Sequence, residues 1–202
     1  MKFFSLLFVG IALFLPLAAS AQEIAPDLLV KGVTNEVLDI VRNDKDIQSG
    51  SHKKAIALVE TKVLPHFNFV RMTQLAMGRD WRSATPEQQK TLTDEFRILL
   101  VRTYSKALNE YKTQAIEFKP FTAKPGESTV RVRTQVIQPG AKPITLDYYL
   151  EKLGPDWKVV DIEVGGISLV TNYRDSFASE VRSSGIDGLI KSLQAKNNSS
   201  KD

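Results

Sequence analysis

The chain has 202 residues, of which 43% are hydrophobic, and it contains no cysteine. This length suits one domain with its own core, and the absence of cysteine excludes disulfides and thiol chemistry. The 27 basic and 23 acidic residues leave a formal charge of only +4 and are interspersed, which argues against a nucleic-acid-binding protein.

The first residues have the parts of a secretory signal peptide. Lys2 is followed by an apolar run to about Leu17 and then by Ala-Ser-Ala at residues 19–21, a small-x-small pattern that signal peptidase cleaves. The sequence therefore predicts a signal peptide at residues 1–21 and a mature chain in the periplasm. A membrane anchor is the less favoured alternative, because the run is short for a span and no basic cluster follows it.

Helical spacing of apolar residues predicts three helices in the next part of the chain. The first covers residues 27–44. The second covers residues 55–63 and ends before Pro65, because proline disfavours helical geometry in the residue that precedes it. The third is short and ends at Gly78, a residue type that commonly follows the last turn of a helix.

The best-marked helix start is the segment ATPEQQ. Thr85 is a good N-cap, Pro86 occupies the first helical position, and Gln88 completes a capping box. The helix that follows is predicted to be about 25 residues long. Its apolar stripe carries aromatic residues, which are more often part of a core than of a ligand site.

The hydrophobic period changes from 3.6 to 2 near residue 115. Alternation then predicts four strands, which are separated by the turn sequences KPGES, QPGAKP and GPD. Short turns predict an antiparallel meander with one wet face and one face covered by helices. In the last strand the pattern places Val160, Ile162 and Val164 on the covered face, and Asp161 and Glu163 among solvated charges.

A helical period returns at Ser168, breaks at Gly185 and continues in a short last helix. The order of helices, strands and helices predicts a single α+β domain over residues 22–195, followed by a disordered polar tail at 196–202. Gly165-Gly166 joins the last strand to this helix. The favoured interpretation is a close-packed corner. The alternative is that free N–H groups at the helix start meet an anion.

Candidate catalytic residues are few. The two histidines, His52 and His66, have no partner at metal-ligand spacing, and the chain lacks HExxH, GxSxG and P-loop motifs. Acid–base catalysis by two carboxylates would need two environments that separate their pKa values, and the sequence pattern does not indicate such a pair.

Two long motifs remain to be interpreted: LPHFNFVRMTQLAMGRDWRSATPEQQKTLTDEF, residues 64–96, and WKVVDIEVGGISLVTNYRDSF, residues 157–177. Both resemble motifs of the MlaC, or toluene-tolerance, family of periplasmic phospholipid carriers. The segment GIDGLIKSL resembles the closing segment of the same family. The sequence departs from the pattern at Gly165, where the family has Glu, and at Met77, where Leu is usual.

The resemblance implies a curved four-stranded antiparallel sheet packed against a helical layer, with an apolar lipid cavity between them. It implies a carrier, not an enzyme, that needs no cofactor and moves a phospholipid with two acyl chains to maintain outer-membrane lipid asymmetry. The implied partners are an outer-membrane lipoprotein–porin complex and an inner-membrane ABC transporter with an MCE-domain ring. We expect a monomer.

The predicted lipid-binding residues combine the apolar stripes with this implied cavity. From the helices we expect Phe69, Met72, Leu75, Phe96, Leu99, Leu100 and Tyr104. From the sheet we expect Val130, Val132, Val136, Leu146, Tyr148 and Leu150. At the mouth we expect Ile167, Val170 and Tyr173.

Two alternatives to a carrier stay open. An isomerase or dehydratase of similar fold would need an Asp, Tyr or His facing its cavity, and the pattern places only tyrosine there. A periplasmic binding or scaffold module would have a solid core without room for acyl chains.

Overall fold

The structure is a computed structural model that describes residues 24–110 and 114–199. The predicted signal peptide and its cleavage site lie outside the described residues. The α-helices are Pro26–Asn43 (α1), Lys45–Gln48 (α2), His52–Leu58 (α3), Phe69–Met77 (α4), Pro86–Tyr104 (α5), Lys106–Glu110 (α6) and Arg174–Ser199 (α7). The strands are Ala115–Phe118 (β1), Thr129–Ile137 (β2), Ile144–Leu153 (β3), Asp156–Val164 (β4) and Ile167–Ser168 (β5).

The long predicted helix begins as the sequence indicates but ends earlier. The Thr85 hydroxyl oxygen accepts from the backbone N–H of Gln88 at 3.2 Å, and the Gln88 side chain accepts from the backbone N–H of Thr85 at 3.0 Å, so the capping box is confirmed. The helix breaks at Ser105, which separates α5 from α6.

The second predicted helix is also irregular. After α3 the chain forms a π-helical turn at Val59–Val63 and a 3₁₀ turn at Leu64–His66, instead of one regular helix up to Pro65. Further 3₁₀ turns lie at Gly78–Ser83 and Thr171–Tyr173.

The five strands form one antiparallel sheet in the order β1-β2-β3-β4-β5, so the predicted α+β fold and meander are confirmed with one additional short strand. A bulge interrupts the pairing of β3 with β4. Leu150 pairs with Val159 and Tyr149 pairs with Asp161, which leaves Val160 as the extra residue. Val159 therefore packs in the inner core of the sheet, where simple alternation places Val160.

The core has three parts. The helical core joins α4, α5 and α7 around Phe96 and Phe177. The inner sheet core joins β2, β3 and β4 with Val30 of α1, around Trp157. The third part joins α1, α2 and α3 around Val41.

The C-terminal helix extends beyond the predicted domain boundary. Gly185 has φ 73° and kinks α7 where the sequence predicts a break. The helix then continues through residues 196–199, for which the sequence predicts disorder. Asn197 is buried there, and its side-chain amide donates to the backbone oxygen of Glu95 at 2.9 Å. The prediction of disorder is thus wrong for residues 196–199, because the buried Asn197 amide anchors the last turn to α5.

Candidate functional site

A cavity of about 330 Å³ lies between the helical layer and the inner face of the sheet. Its helical wall is formed by Val59, Val63, Leu64, Phe67, Phe69, Met72, Leu100, Val101, Tyr104, Ser105, Ala107 and Leu108. Its sheet wall is formed by Leu146, Tyr148, Ile162, Val164 and Leu169. Apolar carbon atoms dominate this surface, so the cavity suits a hydrocarbon ligand.

The helical wall is tied to the sheet at its centre. Phe67 forms a parallel bridge with Val159, and the backbone N–H of Asn68 donates to the backbone oxygen of Val159 at 2.9 Å. The Asn68 side chain caps α4 by accepting from the N–H of Arg71 at 3.0 Å. The Arg71 guanidinium then donates to the carboxylate of Glu151 on β3 at 2.9 Å. These contacts fix α4, and with it the cavity residues that α4 carries, against the sheet.

Among the described residues that line the cavity, three carry polar side-chain atoms: Tyr104, Ser105 and Tyr148. Burial raises the pKa of Tyr104 to about 12, and the neighbouring Tyr173 contributes in the same direction. Burial also raises the pKa of Tyr148, whose hydroxyl has a hydrogen bond with the side chain of Thr34. Both tyrosines therefore stay protonated and uncharged at neutral pH. Within the described residues the Ser105 hydroxyl has no hydrogen-bond partner.

The structure brings some of the predicted lipid-binding residues into the cavity wall: Phe69, Met72, Leu100, Tyr104, Leu146 and Tyr148. Others lie in the helical core beside the cavity: Phe96, Leu99, Val170 and Tyr173. The inner sheet core holds Val130, Val132 and Leu150. Leu75 packs at the edge of the helical core, Val136 is half-buried on β2, and Ile167 is exposed on β5.

Several cavity residues were not predicted as lipid-binding. Val59 and Val63 lie four residues apart, and this helical spacing was an available signal. Alternation places Ile162 and Val164 on the covered face but does not by itself assign them to the cavity. Leu169 gave no such signal, because the additional strand β5 brings it to the wall.

Asp161 is buried, contrary to its predicted solvation, with 8% of its surface exposed. Its carboxylate accepts from the backbone N–H of Ile162 at 2.8 Å, from the N–H of Val170 at 3.3 Å and from the hydroxyl of Ser168. Burial raises the pKa of Asp161, although these hydrogen bonds act in the opposite direction. The carboxylate is buried because the chain returns over it after β5.

The predicted alternative of an anion site at the start of the last helix is wrong. The Ser168 hydroxyl oxygen accepts from the N–H of Val170 at 3.2 Å and from the N–H of Thr171 at 2.8 Å. The Asp161 carboxylate also accepts from the N–H of Val170, so a negatively charged group already occupies this position. These donors are therefore used within the chain.

Gly165 and Gly166 form the two-residue turn between β4 and β5. Val164 pairs with Ile167, and the φ angles of the glycines are 58° and 88°. Two positive φ values are what a type I′ hairpin turn requires. A Cβ added at either position would have no heavy atom within 4 Å. The predicted close-packed corner is therefore wrong. Backbone conformation, not packing, explains the glycines.

The described ranges contain no group of three or more His, Cys, Asp or Glu side chains arranged to hold a metal. Within the same ranges, no helix combines the length and the apolar character that a membrane span needs.

The sequence matches the family model of the MlaC protein over residues 31–195. The chain belongs to the MlaC family. It is 31% identical over 205 residues to a Pseudomonas putida protein named toluene tolerance protein ttg2D, with 96% of this chain and 94% of that protein covered. It is 25% identical over 198 residues to the intermembrane phospholipid transport system binding protein MlaC of Haemophilus influenzae, with 96% and 92% covered.

A solved structure has the same fold. It is the phospholipid-binding protein from Ralstonia solanacearum in complex with a phospholipid, with a TM-score of 0.82 and 37% identity. The match covers 89% of this chain and 100% of that chain. The family resemblance carried by the two sequence motifs is thus confirmed.

Proposed function

We propose that this protein is a periplasmic phospholipid carrier whose acyl-chain site is the cavity between the helices and the sheet. The observation that carries the proposal is the apolar lining of that cavity, to which both layers contribute. Two comparisons support it, since relatives are named for phospholipid binding and transport and a related structure contains a phospholipid.

Hydrocarbon transfer supplies the binding energy of such a carrier. Two acyl chains hold about thirty methylenes, and each contributes roughly 0.8 kcal/mol on leaving water. The sum of about 24 kcal/mol, before the losses of binding, far exceeds the contribution of any head-group hydrogen bond. A cavity of about 330 Å³ is near the lower end of ligand pockets, roughly 300–1,000 Å³, so two long chains require the walls to separate further.

The proposed role is to shuttle glycerophospholipid between the outer and inner membranes and so to maintain the lipid asymmetry of the outer membrane. A lipid held this strongly leaves slowly into water, so the carrier must dock on each partner for transfer. We propose the outer-membrane lipoprotein–porin complex and the inner-membrane ABC transporter with its MCE-domain ring as these partners. Family membership supports this assignment.

The proposed carrier does no chemistry on its cargo. Among the described residues, the titratable side chains of the cavity wall are Tyr104 and Tyr148, and burial raises the pKa of both. Within the same part of the chain, this wall carries no Asp, Glu or His side chain that could act as a general base. This favours a carrier over the isomerase or dehydratase alternative.

The direct test is native mass spectrometry of the mature protein, purified without detergent, followed by lipid extraction. We expect a mass increment of one phospholipid that is lost on denaturation. A bare protein that also takes no lipid from vesicles would contradict the proposal.

A matched pair of variants locates the site. Leu146 lines the cavity, whereas Leu153 lies at the other end of the same strand and is 56% exposed. Leu146→Glu places a charge against the acyl chains, so we expect the copurified lipid to be lost. Leu153→Glu should keep it. Equal loss in both variants would show that the lipid is bound elsewhere.

A further inference from the structure

Two isoleucines are exposed at one end of the sheet. Ile144 at the start of β3 is 44% exposed, and Ile167 at the start of β5 is 60% exposed. Both strands run antiparallel to β4, so they run parallel to each other and begin at the same end of the sheet. A large apolar side chain in water is unfavourable, and two such residues share this edge.

Both isoleucines face the same side of the sheet as the cavity. Ile144 lies two residues before Leu146, and alternate residues of a strand share a face. Ile167 pairs across the ladder with Val164, and paired residues also share a face. Leu146 and Val164 line the cavity. Leu169, two residues after Ile167, lines it as well. An exposed isoleucine therefore lies two residues before a cavity-lining leucine both at the start of β3 and at the start of β5.

The turn between β4 and β5 lies at the same edge and leaves it open. Gly165 donates its backbone N–H to the backbone oxygen of Thr145 at 2.9 Å, which places the turn beside the start of β3. A Cβ added at Gly165 or Gly166 would meet no heavy atom within 4 Å. On β3 and β5 this end of the sheet thus presents two exposed apolar side chains, and the turn at Gly165 and Gly166 has open space beside it.

We infer that Ile144 and Ile167 form an apolar ramp along which the acyl chains of the phospholipid enter and leave the cavity, and that the ramp sets the rate of transfer but not the affinity. This inference rests on the proposed function. A chain in transit loses its contacts with other lipids before it reaches the cavity, and each methylene that meets water raises the barrier. The ramp covers part of the chain at that stage. Once the lipid is seated, the ramp lies outside the cavity wall.

The test compares transfer rates with equilibrium occupancy. The variant Ile144→Thr/Ile167→Thr keeps β-branched side chains, which suit strands, but makes the ramp polar. The control is Leu153→Thr, an exposed apolar residue at the far end of β3. The probe is a pyrene-labelled phosphatidylglycerol in phosphatidylglycerol vesicles, with loss of excimer fluorescence as the readout. Uptake and return are both timed, and the lipid per protein is measured at equilibrium.

We expect the double variant to slow both directions about tenfold and to keep its equilibrium occupancy. Each single variant should be intermediate, and Leu153→Thr should match the wild type. Unchanged rates, an equal slowing in the control, or an occupancy that falls with the rate would each overturn the ramp. Failure of the wild type to take any lipid would instead overturn the proposed function.

Discussion

The two ends of the sheet's inner face differ in how they are covered. At the closed end the apolar side chains are buried in a continuous core, formed by Val130, Val132, Leu150, Trp157 and Val159. At the open end, the face lines a cavity with Leu146 and Val164 and then reaches solvent at Ile144. Both ends have the same alternating pattern. Alternation therefore identifies the face that must be covered but not the place where the cover is incomplete.

Irregular backbone accompanies the open end. The π-helical turn at Val59–Val63 and the helix break at Ser105 both line the cavity. At the closed end, the regular helix α1 supplies Val30 to the core. A π-helical turn widens the backbone and interrupts regular packing, and such turns are frequent at functional sites. The cavity is thus associated with defects in the helical layer and not with a special composition of the sheet.

The largest expected effect is a difference in stability between alanine variants of two leucines that lie on the same face of β3. Leu150→Ala opens a void in the closed end and should lower the free energy of unfolding by about 3 kcal/mol. Leu146→Ala enlarges an existing cavity and should lower it by only about 1 kcal/mol. Urea unfolding of delipidated protein measures both.

Lipid retention should change in the opposite order, with more lipid lost from Leu146→Ala than from Leu150→Ala. Leu146→Ala removes a cavity contact, and Leu150→Ala removes none. Similar losses of stability in the two variants would show that the two ends are packed alike and would remove the basis of the comparison.

Much of the fold follows from local sequence signals. The capping box at Thr85, the break at Gly185 and the meander are each fixed by a few neighbouring residues. Their chemistry is local, since a cap or a positive φ depends on the adjacent backbone.

The features that failed to appear in the sequence pattern depend on distant partners. The bulge at Val160 shifts the alternation of β4, and the return of Ser168 over Asp161 buries a carboxylate that alternation places in water. The residues that line the cavity are hard to predict for the same reason. Phe96 and Leu100 lie on one apolar stripe, but only Leu100 reaches the cavity, because α7 covers Phe96 with Phe177.

The next effect concerns Asp161, which holds the segment that carries Leu169 to the open end. In Asp161→Asn the amide nitrogen would meet the Ser168 oxygen, which already accepts from two backbone N–H groups. We expect a loss of about 1–2 kcal/mol at pH 7, together with weaker lipid retention. Because burial raises the folded-state pKa of Asp161, its proton is bound more tightly in the folded state.

The pH dependence of this variant has a definite sign. The wild type's advantage over Asp161→Asn is fully present below the ordinary aspartate pKa of 3.8 and declines as the pH rises through the higher folded-state pKa. The gap between the two unfolding free energies should therefore widen from pH 7 to pH 4. A gap that narrows on acidification would mean that the folded-state pKa is lowered instead.

The smallest effect tests whether the rim of the open end is free of packing. Gly165→Ala should lower the free energy of unfolding by about 1 kcal/mol, because alanine disfavours a φ of 58°. Gly165→Asn should be nearly neutral, because asparagine tolerates this conformation and is common in type I′ turns. Both changes add a Cβ, and only the backbone preference differs. If the asparagine variant lost as much stability as the alanine variant, packing would decide the outcome, and the edge between Ile144 and Ile167 would be closed like the other end of the sheet.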